Sequence, residues 1–198
     1  EGLEQQATHD ALTGLPNRYG LPDRLGVATR QAAIGGTLCA VYFIDVDRLK
    51  AVNDMLGHRA GDLLIRATAD RLSARVGPRV TRFGGDEFVL VVEDTRSASE
   101  AEELGRRIVA DLARPIEVEG NHVRSSASVG LTLADRSTTP DELLRQADVA
   151  LYRAKALGRS CLATYSVDED TGLDADLDLE PELRRAVDRD GFTLHYQP

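Results

Sequence analysis

The chain of 198 residues has no tryptophan, one methionine and two cysteines, and aromatic residues make up only 5% of it. No apolar run approaches the roughly 20 residues that a membrane-spanning helix needs, and the charged, polar N-terminus lacks the pattern of a signal peptide. Cys39 and Cys161 are far apart and lack metal-ligand spacing, which excludes a disulfide framework and a thiolate zinc site. Both read as small buried hydrophobes inside or beside apolar strands. There is also no basic stripe of the kind duplex binding requires, so nucleic acid is not an expected partner, nor is a membrane. The cytoplasm is the compartment these absences favour.

What is present suffices for a folded domain: 42% of the residues are hydrophobic and 29% charged. The net charge of −9 is unevenly spread. Residues 167–198 hold ten acids against three arginines, and the stretch from Val167 to Leu183 has no basic residue. Such a stretch reads as a solvated acidic linker over 167–178, with a domain boundary before it. Residues 1–8 look like the last turns of a helix arriving from an upstream domain.

The periodicity expects a helix capped by Asn17 and running to about residue 33, a strand over 37–45, and helices over 48–55 and 60–75. A strand over 79–83 leads to a reversal. Ser97 with Glu100, and Thr139 with Pro140 and Glu142, are capping boxes that open two amphipathic helices. Residues 115–118 and 123–133 read as a hairpin closed near Gly120-Asn121, and a last strand falls over 162–165. This order implies an α/β (α+β) sandwich with a mainly antiparallel sheet.

Two acidic clusters stand out. Residues Arg82 to Phe88 read Arg-Phe-Gly-Gly-Asp-Glu-Phe, followed by the apolar run to Val92. A Gly-Gly pair between β-prone segments signals a hairpin, since type I′ turns need positive φ at both central positions. Asp86 and Glu87 would then sit at or beside its tip, either as mere solubilising charge or as chemistry. The second cluster settles the weighting: Leu38-Cys-Ala-Val-Tyr-Phe-Ile44, a run suited to a strand buried on both faces, ends in Asp45-Val46-Asp47. If that strand lies beside the hairpin, Asp45 and Asp86 converge at one sheet edge. Two hard oxygen ligands there suit Mg²⁺ held jointly with substrate phosphates, and two such ions would make a phosphoryl-transfer site.

Together these residues resemble the GGDEF family of diguanylate cyclases. The resemblance extends to Asp10-Ala-Leu-Thr-Gly-Leu-Pro-Asn-Arg18, Phe43 through Asp54, Gly57-His-Arg-Ala-Gly-Asp62, and Ala147 through Arg159, all in the family's order and covering about residues 8–166. The family would occupy residues 9–166. Residues 179–198 resemble the opening of an EAL phosphodiesterase domain and stop before its signature acids, so the chain reads as a section of a longer multidomain protein.

The resemblance implies a palm-like nucleotidyl cyclase sheet and a reaction joining two GTP into cyclic di-GMP plus pyrophosphate across a transient homodimer of facing domains. It makes Asp45, Asp86 and the Val46 carbonyl ligands of two Mg²⁺ or Mn²⁺ ions. Glu87, beside the metals and counted with their ligands, would help deprotonate the attacking ribose hydroxyl, and Lys50 would steady transition-state charge. The β and γ phosphates would meet the N–H groups of Arg48 and Leu49, since helix N-termini favour anions, together with Lys155 and Arg159, read as one face of a helix end. Asn53 and Asp62 suit guanine, whose donor pair adenine lacks. His58 reads as a brace of its turn more than a ligand. Asp47 reads as a helix cap or as a residue supporting the metal ligands, and Arg82 belongs with these supporting residues.

One departure concerns the family's inhibitory product site, Arg-x-x-Asp. In that register this chain has Arg75-Val-Gly-Pro78, so Arg75 remains of a degenerate site. Three readings compete: an active cyclase; a catalytically silent GTP-binding module controlling a downstream EAL phosphodiesterase; and a product receptor, which Pro78 weakens. An upstream sensory domain is a further implied partner.

Overall fold

The fold is built around β1, Leu38–Asp47, whose residues from Cys39 onward are all buried. It is central in a five-stranded sheet of order β2 (Val80–Gly84), β3 (Glu87–Thr95), β1, β6 (Ser126–Ala134) and β7 (Leu162–Thr164). The computed structural model describes residues 8–118, 120–134 and 138–167. The acidic linker beyond Val167, the EAL-like section at 179–198 and all but the last residue of the expected helix end at 1–8 lie outside the described residues.

Strand pairing is antiparallel except at the edge, where β7 runs parallel to β6. The sandwich is therefore of the mainly antiparallel kind expected. A strand whose side chains alternate between two covered faces must be apolar throughout, and β1 does this. Ala40, Tyr42, Ile44 and Val46 face one core, built with Leu64, Ile65 and Leu72 of α3 (His58–Val76) and Ala101 and Ile108 of α4 (Ala98–Leu112). Cys39, Val41 and Phe43 face the other, built with Leu21, Leu25 and Ala28 of α1 (Leu21–Gly35) and Leu143, Ala147 and Leu151 of α5 (Pro140–Ala156). The short α2 (Leu49–Leu56) leads from β1 into α3.

Capping holds where the local signal is complete. Ser97 accepts the Glu100 N–H while Glu100 accepts the Arg96 N–H, and Thr139 accepts the Glu142 N–H. Elsewhere the structure corrects the sequence reading. Asn17 caps a single 3₁₀ turn over Arg18–Gly20, and α1 begins only at Leu21, with Pro22 in its first turn. The reading of 115–118 paired with 123–133 also changes. β4 (Ile116–Val118) pairs with β5 (Asn121–Val123) as a separate small hairpin, and β6 starts at Ser126 as a strand of the main sheet. The apolar pattern passes through Val123 into the following strand, so it does not mark the break at Arg124-Ser125. Cys39 is buried as expected, but Cys161 is only half-buried, its thiol donating to the Ala154 carbonyl at 3.3 Å, and both are free thiols. Burial, with the Glu93 charge, pushes the Cys39 thiol up to about 12, so it is not a nucleophile.

Tyr42 is the one fully buried aromatic with a polar end among the described residues, and its hydroxyl donates to the Ala101 carbonyl at 2.8 Å, bolting β1 to the first turn of α4. Tyr42→Phe should cost about 1 kcal/mol, the usual net value of one such bond. Equilibrium urea unfolding checks this, and a change below about 0.3 kcal/mol would show that the bolt contributes nothing net.

Candidate active site

Strand register assembles the acids. Asp45 pairs with Glu87 on β3 and with Ser128 on β6. Its parity puts it on the same side of the sheet as Phe43, toward α5, where Lys155 Nζ lies 2.8 Å from its carboxylate. Val46 turns its side chain into the opposite core, leaving its backbone at the site, and its N–H donates to the Asp86 carbonyl at 3.1 Å. The two acidic segments are thus joined directly.

The reversal that presents Asp86 differs from the expected one. Gly84 already pairs with Glu87, so the two-residue turn is Gly85-Asp86, and of these only Gly85 has positive φ, at 54°. That is the II′ arrangement rather than I′. A register shift between Arg82 and Gly84 moves the second glycine to the tip. Sequence spacing alone does not reveal such a bulge.

Arg82 braces this tip from behind. Its Nε and Nη2 donate to the Gly85 carbonyl at 3.2 and 2.7 Å, and its Nη1 to Asp10 at 2.8 Å. Asp10 also accepts from the Thr13 N–H and hydroxyl. Burial raises the Asp10 pKa, but the Arg82 and Thr13 bonds outweigh it and hold the carboxyl below its ordinary value. Asp10 appears in the sequence only as part of the opening segment. Its role depends on a partner 72 residues away.

Asp47 is 4% exposed and fully occupied, accepting Ser126 and Ser128 hydroxyls at 2.7 Å each and the Ser160 N–H at 3.1 Å. It caps no helix. The residue before α2 is Arg48, in the left-handed region at φ 60°, and no side chain caps this helix. Its first turn therefore presents uncapped N–H groups beside the acids, while the Lys50 side chain is exposed and Leu49 packs against the core.

Charge crowds at the strand exit. Asp45 is 8% exposed. Burial raises its pKa, Lys155 opposes that, and Asp86 and Asp47 raise it further. Burial likewise raises Glu87, helped by Asp45, Asp86 and Asp148 and opposed by Lys155. One ammonium faces several carboxylates, a setting that a divalent cation relieves. Among the described residues no three His, Cys, Asp or Glu side chains are grouped as metal ligands. Asp45, Asp86 and the Val46 carbonyl would suit a cation that takes few protein ligands and keeps positions for water and phosphate, as Mg²⁺ does.

The remaining candidates divide. Asn53 on α2 packs against Gly61 of α3, the residue before Asp62. A Cβ at Gly61 would lie 1.9 Å from Asn53 Oδ1, and that oxygen is buried without a partner in the described structure. A buried unpaired acceptor in a native fold calls for an explanation, and a ligand that reorganises the amide is one. Asp62 is exposed next to it. His58 is also exposed and does not brace the turn, which is closed by Gly57 N–H to the Asn53 carbonyl (2.9 Å) and Ala60 N–H to the Gly57 carbonyl (3.0 Å). Lys155 and Arg159 do not share a helix face, because α5 ends at Ala156 and Arg159 sits in the loop at φ 68°. Arg75 is taken by Asp111 of α4, its Nε at 2.8 Å, and the Pro78 carbonyl accepts Arg24 at 2.8 Å. Arg75, at the degenerate register, is thus engaged by a group of the protein's own.

Comparison with known proteins agrees with this fold. Residues 7–161 match the family model described as "Diguanylate cyclase, GGDEF domain". The bifunctional diguanylate cyclase/cyclic di-GMP phosphodiesterase MucR of Pseudomonas aeruginosa is 41% identical over 199 residues, covering 99% of this chain and 29% of that protein. This chain thus spans less than a third of that relative's length. The isolated GGDEF domain of TpbB (YfiN) from Pseudomonas aeruginosa superposes with a TM-score of 0.80 at 36% identity, covering 84% of this chain and 99% of that one. The coiled coil and GGDEF domain of DgcB from Caulobacter crescentus, solved with c-di-GMP, gives a TM-score of 0.74 at 27% identity, covering 82% of this chain and 88% of that one.

The Asp10 clamp has a definite pH signature. A carboxyl held below its ordinary value of 3.8 contributes stability that is present above that pH and lost as pH falls through its folded value. Asp10→Asn should therefore destabilise the chain at pH 7 and progressively less below pH 4, approaching the parent in acid. Urea unfolding across that range checks it, and a deficit that does not shrink in acid would assign the loss to packing.

Proposed function

The chain belongs to the GGDEF diguanylate cyclase domain family, and from that premise we propose that it condenses two GTP into cyclic di-GMP and pyrophosphate. The observation that carries this reading is the register that sets Asp45 against Glu87 and ties Val46 to Asp86, beside the uncapped start of α2. Each part has a task. Asp45, Asp86 and the Val46 carbonyl would hold two Mg²⁺ or Mn²⁺ ions, whose chemistry is to lower the pKa of the ribose 3′-hydroxyl and neutralise charge on the phosphates. Glu87, next along β3, would take the hydroxyl proton. The start of α2, Arg48, Lys50 and Arg159 supply positive potential for the triphosphate, and Lys155 holds Asp45 in place. Asp62 accepts from the guanine N1–H and amine, and Asn53 completes the base contact.

One such site binds one GTP, so two domains must face each other, and the homodimer need only be transient. The chain would act in the cytoplasm, receiving a signal from an upstream sensory domain. A second reading has its own support: the alignment with the bifunctional relative runs through 99% of this chain, beyond the family match that ends at residue 161. On that reading the domain is a silent GTP-binding module regulating a C-terminal EAL phosphodiesterase.

An assay with GTP and Mg²⁺ or Mn²⁺, following pyrophosphate and c-di-GMP, separates the two. Product should rise more than linearly with protein concentration, and Asp86→Ala should lower it by on the order of 100-fold or more, the scale of losing a group that stabilises the transition state. GTP binding with no product, even when dimerisation is enforced, would leave the regulatory module. Gly61→Ala should displace the Asn53 amide without a backbone clash. It should weaken GTP binding by on the order of 10-fold, the scale of a lost hydrogen bond to a buried group, with little change in thermal unfolding. Unchanged affinity would remove Asn53 from the base contact.

A further inference from the structure

Beside the start of α2 lies an open groove of about 720 Å³ whose lining includes Arg48, Arg159 and Ser160 together with His122, Arg124 and Ser125. The last three come from β5 and the residues that follow it, a part of the chain that no motif singles out. The charged lining is three arginines against one aspartate, Asp47, in a protein of net charge −9. That aspartate's oxygens are occupied by three donors, the Ser126 and Ser128 hydroxyls and the Ser160 N–H. The arginines are not: Arg48, Arg124 and Arg159 make no ion pair or side-chain hydrogen bond among the described residues. Several arginines elsewhere are committed, Arg75 to Asp111, Arg79 to Asp94 and Arg82 to Asp10.

The hairpin's own construction explains why these groups face outward. Ile116, Val118 and Val123 are buried in the core beside α3 and α4, which anchors β4 and β5 although they do not join the main sheet. Alternation along the strand then sets the neighbours of Val123 on the opposite side, and His122 and Arg124 are both exposed. Guanidinium groups with no internal partner, arranged around a groove that opens at a helix N-terminus, match a polyphosphate, which they can grip bidentately.

We propose that the β4–β5 hairpin is part of the nucleotide site: Arg124, with His122, joins Arg48 and Arg159 around the terminal phosphate and makes the site selective for nucleoside triphosphates over diphosphates. The inference rests on the GTP reading above and assigns a specificity-determining role to a segment outside the signature motifs. The carboxylates at the end of β1 would meet the phosphates only through the ions they hold, whereas the arginines of this groove can grip a further phosphate directly and so add selectivity for the third one.

The test is calorimetric titration of the 198-residue chain with GTP and with GDP, each with Mg²⁺, for the parent, Arg124→Ala and Arg124→Lys. Arg124→Ala should weaken GTP by on the order of tenfold, the scale of one charge-assisted hydrogen bond, while GDP stays within about twofold. Arg124→Lys should recover part of the loss, since it keeps the charge without the fork. An equal loss for both nucleotides, or no loss for either, would overturn the inference while leaving the GTP reading standing. Failure of the parent to bind GTP at all would overturn that reading and the inference with it.

Discussion

The register of β1 between β3 and β6 is the constraint on which the site depends. Side chains alternate along a strand, so a slip of one residue would exchange the two faces entirely. Val46 would then turn toward α5, and Asp45 would enter the core formed with α3 and α4, where no cation awaits it. The register is secured because both faces are buried against different partners, Tyr42 and Ile44 on one side and Val41 and Phe43 on the other. Any slip would forfeit packing in both cores at once. The same burial that fixes the strand also carries Asp45 into a place where its charge is costly, and Lys155 is the one ammonium that offsets it.

Two tethers then convert a strand end into a shaped site. Asp47 gathers Ser126, Ser128 and the Ser160 N–H, joining β1, β6 and the loop after α5. Arg82 joins Asp10 to the carbonyl of Gly85 and so sets the tip that carries Asp86. Between these tethers the surface separates by sign, with carboxylates around the end of β1 and uncommitted arginines in the groove on the other side of Asp47. Such a division suits a substrate that is bound partly through cations and partly through its own negative charge.

Much of this was legible along the chain. The apolar run over 38–44 ending in acids and the Ser97 and Thr139 caps are signals carried by neighbours within a few residues, and each appears in the structure where it was expected. The misreadings share a different character. Asn17 looked like the cap of a long helix, but Pro22 restarts the helix at Leu21. The Gly-Gly turn is displaced by a bulge that belongs to the pairing of two strands, not to either strand alone. Lys155 and Arg159 have helical spacing, yet the helix ends between them. His58 lies in a turn that its backbone closes without it.

The sequence by itself determined that there is a doubly covered central strand ending in carboxylates, a tight acidic reversal and a set of amphipathic helices. These follow from period-two alternation, glycine and capping chemistry, which act over one to four residues. Only the tertiary structure decided which carboxylate is paired with Lys155, which is saturated by serines and which is gripped by an arginine. Those partners lie 72 and 113 residues apart for Asp10 with Arg82 and Asp47 with Ser160. Nothing local distinguishes Asp45 from Asp47, two positions apart on one face of one strand. The difference between them arises when packing brings α5 and β6 against that face, because the free energy of a charge is set by what surrounds it after folding.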